Sequence, residues 1–102
     1  MYAHEPIVAN SPIGNAKGIY PGRVAWIHDA DATNWNGSGP PYWYADTCTD
    51  QTVVNEMLSD ALQTLTGRDN DADAWDAIFR SFNYQMGKGY VGYTSGEKIA
   101  IK

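Results

Sequence analysis

Two aspartates separated by one residue form the sharpest chemical pattern in the sequence. Asp29 and Asp31 follow a short apolar stretch, within the run HDADATN at positions 28–34. Carboxylates at this spacing can direct oxygens at a hard cation such as Mg²⁺, and α/β proteins bind ligands where strands end. We therefore predict Asp29 and Asp31 as candidate metal ligands. His28 and Asn34 are predicted as ligand-binding neighbours of the pair.

Three interpretations of this run stay open. A strand followed by D-x-D-x-T resembles the first motif of haloacid-dehalogenase-like phosphotransferases, which implies a nucleophilic Asp29 and an acid/base Asp31 beside Mg²⁺. Asn34 departs from that motif, which has an apolar residue at this position, and the chain is too short for the later motifs of that family. The second interpretation is a metal or polar-ligand site without phosphotransfer. The third is a turn in which Asp and Asn side chains bond to their own backbone.

An aromatic cluster lies in the long loop that follows. Trp35, Tyr42, Trp43 and Tyr44 occur among Gly and Pro residues, in a chain with four Trp, seven Tyr and two Phe. Flat rings with polar edges suit stacking on sugars and hydrogen bonding to hydroxyl groups. We predict these four residues as ligand-binding, on a carbohydrate-binding surface over residues 35–44. The alternative is that the rings fold back and order the loop by burying themselves.

Composition excludes several classes of protein. The chain has 102 residues, enough for one small domain, and a net charge of −5. An acidic surface is a poor partner for nucleic acid or an anionic membrane. No apolar run approaches the ~18 residues of a membrane-spanning helix. Cys48 is the one cysteine, which excludes an intrachain disulfide and a four-cysteine metal or iron–sulfur site within these residues.

The order of elements predicts an α/β class. Residues 1–22 carry Pro and Gly punctuation that indicates an irregular arm. Apolar and β-branched residues predict strands near 23–28 and 97–102. Apolar positions at three- and four-residue steps predict helices at about 50–66 and 72–86. We expect a small sheet covered by a two-helix hairpin, in which residues 23–102 form part of a larger α/β domain.

The predicted helices have clear ends and apolar faces. Thr49 or Asp50 offers an N-cap, and Gly67 is suited to the position after the first helix. The connection between the two predicted helices is short, and short connections join helices into an antiparallel hairpin. The apolar stripe of the second helix is expected to consist of Trp75, Ile78, Phe79 and Phe82.

Segments at both ends of the chain resemble one bacterial family. The run PIGNAKGIYPGRVAWIHD at positions 12–29, continued by ATNW at 32–35, resembles the N-terminal part of domain of unknown function 362, in its Bacteroides-type branch. The tail SGEKIAIK at 95–102 is similar to that family's G-x-K-V-x-I-K-x-N strand. The two helices fit the family in order but are less specific.

This resemblance implies a fragment of a longer, exported protein. Members of the family are much longer than this chain, and members of this branch often begin with a twin-arginine export signal, so a periplasmic location is expected. Some relatives carry ferredoxin-like cysteine clusters, but with Cys48 alone no cofactor is expected in these residues. The family offers no established catalytic residues to carry over. We therefore expect the chain to contribute to a ligand or metal site that the remainder of the parent protein completes, without catalysis by the chain alone.

Overall fold

The computed structural model describes residues 9–101, and their regular secondary structure is helical. Helix α1 spans Gln51–Thr66 and helix α2 spans Asp71–Gln85. Two single-turn 3₁₀ helices precede them along the chain, at Ala30–Ala32 and Asp46–Cys48. Both predicted α-helices are therefore present, with ends within one residue of the predicted positions.

Part of the predicted N-terminal arm and the final residue lie outside the description. Residues 1–8 of the arm predicted over 1–22, and Lys102 of the strand predicted over 97–102, are not among the described residues. Within the described part of the arm, residues 9–22 contain bends and turns.

The prediction of an α/β fold with a small sheet is wrong. Neither 23–28 nor 97–101 forms a strand, and between residues 9 and 101 the β-type pairing consists of one isolated bridge. A strand is stable only when a neighbouring strand takes up its N–H and C=O groups. Within the described chain, residues 24–28 and 98–101 make no backbone hydrogen bond. The fold of the described residues is therefore mainly helical.

Local side-chain contacts fix both helix starts. The Asp50 carboxylate accepts a hydrogen bond from the Val53 amide at 3.2 Å, which caps α1. The Asn70 side-chain oxygen accepts one from the Asp73 amide at 2.9 Å, which caps α2. At the end of α1, Gly67 has a φ of 65°, a left-handed conformation that favours glycine. Of the two residues predicted as possible caps, Thr49 and Asp50, the helix uses Asp50, and the predicted stop at Gly67 is confirmed.

The two helices meet through small side chains. Ala74 and Ala77 of α2 are buried, as are Leu62 and Thr66 of α1. The Thr66 hydroxyl satisfies itself by donating to the Leu62 carbonyl at 2.8 Å. Small residues let helix axes approach closely, so the alanine face of α2 packs inward. The predicted inward stripe of α2 is wrong in part, because Trp75 and Phe82 are exposed.

A glycine- and tyrosine-rich loop, residues 87–96, packs against the outer side of α2. Buried Asn83 donates a hydrogen bond from Nδ2 to the Val91 carbonyl at 2.8 Å. The Phe79 and Tyr93 rings lie with their centroids 5.4 Å apart. The aromatic residues of α2 are therefore covered by this loop in part, rather than by a sheet.

The chain leaves much apolar surface uncovered. Its accessible surface is 8919 Å² for 11.2 kDa, whereas a compact monomer of this mass is expected to expose about 5,700 Å². Val24, Trp26 and Ile101 are 85%, 79% and 88% exposed. In the segments predicted as strands, these side chains therefore lie in solvent, whereas Ala25 and Ile27 are half-buried.

Candidate functional site

Asp29 and Asp31 lie in one turn, residues 29–32, which we call the acidic turn and which Asp29 stabilises. The Asp29 carboxylate accepts a hydrogen bond from the Asp31 amide at 2.9 Å and caps the Ala30–Ala32 turn. One oxygen of the Asp29 carboxylate is therefore bonded to a backbone amide of the same turn, as the turn interpretation predicts. Asp31 instead lines a neighbouring hollow, and Asp29 does not. The structure thus gives the two carboxylates different surroundings.

An isolated β-bridge holds this turn against the start of α1. Thr33 and Thr49 pair in antiparallel fashion. The Asn34 amide donates to the Cys48 carbonyl at 3.2 Å, and the Asp50 amide donates to the Ala32 carbonyl at 2.9 Å. Because these bonds join residues far apart in sequence, they bring the acidic turn and the α1 cap to one place.

An open depression, which we call the polar hollow, is lined in part by the residues of this bridge. Its volume is about 440 Å³, within the range of small-molecule sites. Threonine hydroxyls, amide groups and two carboxylates dominate its lining, which comprises Ala30, Asp31, Thr33, Asn34, Thr47, Cys48, Thr49, Asp50 and Gln51. Hydroxyl and amide groups both donate and accept hydrogen bonds, and carboxylates accept them, so this lining matches a ligand rich in hydroxyl groups.

Most residues of this lining were not predicted from the sequence. Asp31 and Asn34 were predicted as site residues, and both line the hollow. Thr33, Thr47 and Gln51 were not predicted. The residue types around Asp50 predict a helix cap. They do not predict the bridge between Thr33 and Thr49, which joins distant parts of the chain.

The aromatic loop divides into a packed ring and exposed rings. Trp35 is half-buried, and its indole N–H donates to the Gly39 carbonyl at 3.0 Å. Tyr42, Trp43 and Tyr44 are 45%, 60% and 65% exposed, and we call these three residues the aromatic platform. Trp35 therefore folds back into the loop, whereas the platform faces solvent. The ligand-binding role predicted for these residues stays a prediction.

The rings of the aromatic platform contact one another. Tyr42 and Tyr44 stack with centroids 5.6 Å apart, and Trp43 meets Tyr44 edge-on at 5.4 Å. The Trp43 carbonyl accepts a hydrogen bond from the Thr49 hydroxyl at 2.8 Å. Because Thr49 lines the polar hollow, this bond ties the platform to the hollow's wall.

Among the contacts of residues 9–101, neither His28 nor Cys48 belongs to a reactive pair. The exposed His28 ring stacks on Trp26 at 5.8 Å and does not line the polar hollow. Cys48 is buried, and its thiol donates to the Pro41 carbonyl at 3.7 Å. The thiol therefore packs as a small apolar group with a weak hydrogen bond.

The metal prediction for Asp29 and Asp31 stays a prediction. Between residues 9 and 101, no group of three or more His, Cys, Asp or Glu side chains is placed to hold a metal ion. Calcium takes six to eight oxygen ligands and magnesium demands an octahedral set. Two carboxylates, one of them already capping a turn, supply only a small part of either set.

Comparison with protein-family models, curated proteins and solved structures gives no match to this chain. The resemblance to domain of unknown function 362 therefore stays a prediction, as do the exported location and the cofactors of longer relatives. Neither α1 nor α2, the helices of the described residues, has the length and apolar character needed to cross a membrane.

Proposed function

We propose that the chain is a binding module whose ligand is a neutral carbohydrate, bound at the aromatic platform and the adjoining polar hollow. The observation that carries the proposal is the exposure of Tyr42, Trp43 and Tyr44 beside a hollow lined by hydroxyls, amides and carboxylates. The proposal assigns binding to this chain and no catalytic step.

The chemistry of the two surfaces is complementary to that of a sugar. A pyranose ring has an apolar C–H face, which stacks on an aromatic ring, and hydroxyl groups at its edge, which need paired donors and acceptors. The Trp43 ring supports the first kind of contact, and Asp31 and Asn34 support the second. Covering about 100 Å² of ring surface contributes about 2.5 kcal/mol before the cost of association. We therefore expect weak binding, with a Kd of about 10 mM or higher.

We further propose that the remainder of a longer exported protein supplies an opposite wall to this site. Two observations support this proposal: the resemblance of residues 12–29 and 95–102 to a family of longer proteins, and the apolar surface that the chain leaves uncovered. Cell fractionation of the native host tests the location, with the chain expected in the periplasmic fraction and recovery in the cytoplasm contradicting it.

The test of binding is a titration of the chain with neutral hexasaccharides, one a β-glucan, one an α-glucan and one a mannan. Tryptophan fluorescence and amide chemical shifts report binding. At least one sugar is expected to shift the amides of residues 42–49. Trp43→Ala is expected to weaken that binding about tenfold or more, because it removes the largest stacking surface. Asp31→Asn keeps the side-chain shape, and weaker binding is expected there too.

Trp26→Ala is the matched control. Trp26 is a second exposed tryptophan, 79% accessible, and lies outside the aromatic loop. Its removal is expected to leave sugar affinity unchanged. No shift with any of the three sugars, or equal losses in Trp43→Ala and Trp26→Ala, would show that the platform is not a carbohydrate site.

A further inference from the structure

A second cavity lies between the N-terminal arm and the helical hairpin. Its volume is about 280 Å³, and it shares no residue with the polar hollow. Side chains from the arm and from both helices form mostly apolar walls, chiefly Ile19, Tyr20, Leu65, Ile78 and Phe82. We call this cavity the arm groove.

Basic residues surround the arm groove in an otherwise acidic chain. Lys17 and Arg23 line it, and Arg68 lines the cavity that adjoins it through Gly18 and Ile19. No Asp or Glu lines either cavity, although the chain has 12 acidic and 7 basic residues. This local reversal of charge favours an anionic ligand.

The guanidinium of Arg23 is held in place by the fold. Its Nη1 donates to the Thr64 carbonyl at 3.1 Å, and its Cζ lies 4.0 Å from the centre of the Tyr20 ring. One role of Arg23 is thus to satisfy a carbonyl near the end of α1. A guanidinium has five N–H donors, so donors remain for an anion, and their position is fixed before binding.

From these features we propose that the arm groove binds an amphipathic monocarboxylate with a medium-length alkyl chain. The apolar walls take the alkyl chain, and Arg23 and Lys17 take the carboxylate. Half-buried Leu65 and Ile78 still present surface to a ligand, and Phe82 is exposed. Burial of about five CH₂ groups corresponds to a Kd on the order of 1 mM. The groove is a site separate from the proposed carbohydrate surface.

Octanoate is the probe, with octanol and octylammonium as probes of the same chain length and different head group. The three are titrated into the isotope-labelled chain, and amide shifts of residues 17–23 and 65–85 are followed. Octanoate is expected to bind about three- to tenfold more tightly than octanol, because a charge-assisted hydrogen bond at a partly exposed site has this value. Octylammonium is expected to bind least. Equal affinity of octanoate and octanol would overturn the assignment of an anion site, and no shift with any probe would overturn the groove as a site.

Charge-removing variants locate the carboxylate. Arg23→Gln is expected to weaken octanoate binding about three- to tenfold more than octanol binding. Lys17→Gln serves where loss of the Arg23 contact to α1 lowers stability, since Lys17 makes no hydrogen bond or ion pair within residues 9–101. Lys88→Gln is the control, because Lys88 lines neither cavity. Equal losses in Lys17→Gln and Lys88→Gln, or unchanged octanoate binding in both Arg23→Gln and Lys17→Gln, would contradict the proposal.

Discussion

Asn83 is the residue whose replacement tests the packing of the chain most directly. It is 3% exposed on α2 and donates from Nδ2 to the Val91 carbonyl at 2.8 Å, with Gly92 O at 3.4 Å. These bonds attach the 87–96 loop to the helical hairpin. Asn83→Ala removes one well-formed hydrogen bond, about 1 kcal/mol, and leaves a gap where the amide was. We expect a total loss of about 1–2 kcal/mol in the free energy of unfolding.

Asn83→Asp separates hydrogen bonding from shape. The carboxylate has the same outline but no donor, and it places negative charge against two carbonyl oxygens. At neutral pH the loss is expected to be larger than for alanine, about 2–4 kcal/mol. The folded state should raise the pKa of the new carboxyl above its unfolded value of about 3.9. The destabilisation is then full above the folded pKa and fades as pH falls towards about 4, because the protonated acid donates to the Val91 carbonyl.

Thermal unfolding followed by circular dichroism measures both effects. Each kcal/mol lowers the melting temperature by roughly 4–8 °C in a domain of this size. The two variants and the parent chain are compared at neutral pH and near pH 4, so that the parent corrects for the general effect of acid. Unchanged melting temperatures for both variants, or the same deficit of Asn83→Asp at the two pH values, would refute the argument that Asn83 anchors the loop.

Four further outcomes test other parts of the fold. Gly67→Ala should cost about 1–2 kcal/mol in unfolding experiments, because its φ is 65° and a Cβ there would lie 3.1 Å from a tyrosine hydroxyl. Hydrogen bonds from Ser59 and Gln63 lower the pKa of Asp71, so Ser59→Ala should raise that pKa towards its ordinary value in an NMR titration. The same lowered pKa means that Asp71 stabilises the folded chain above its unfolded pKa, and acid unfolding monitored below about pH 4 should remove this contribution. Asp29→Ala removes the turn cap and should cost about 1 kcal/mol by chemical denaturation, whereas an unchanged midpoint would contradict the capping role.

Local signals in the sequence predicted the helices well. The caps Asp50 and Gly67 act within one turn of their own residues, and each was identified from residue type and position. The face that α2 turns inward was not predicted, because hydrophobicity favoured Trp75 and Phe82 while packing selected Ala74 and Ala77. Small side chains allow two helices to approach closely, and the Phe79 ring packs instead against Tyr93 of the 87–96 loop. A periodic pattern alone does not distinguish these two faces.

The candidate site shows the same division between local and long-range information. Asp31 and Asn34 were predicted from a local motif, and the exposed rings of the aromatic platform from composition. The hollow itself depends on the bridge between Thr33 and Thr49, which joins residues 16 positions apart. The closure of such a loop is decided by the balance of chain entropy against a few hydrogen bonds. Residue types at Thr33 and Thr49 do not encode that balance, so the hollow could not be predicted.

Several large apolar side chains are exposed to solvent, among them Val24, Trp26 and Ile101. The surface exceeds that of a compact monomer by roughly 3,200 Å², while a standard protein interface buries about 1,200–2,000 Å² in total. This excess of total surface is larger than the area that a standard interface buries. Replacing Trp26 tests whether the chain stands alone in solution or pairs with another copy through this surface. An exposed side chain contributes little, so Trp26→Thr should change stability by less than about 0.5 kcal/mol if the chain stands alone in solution. A much larger loss, together with a stability of the unsubstituted chain that rises with protein concentration, would show that another copy covers this surface.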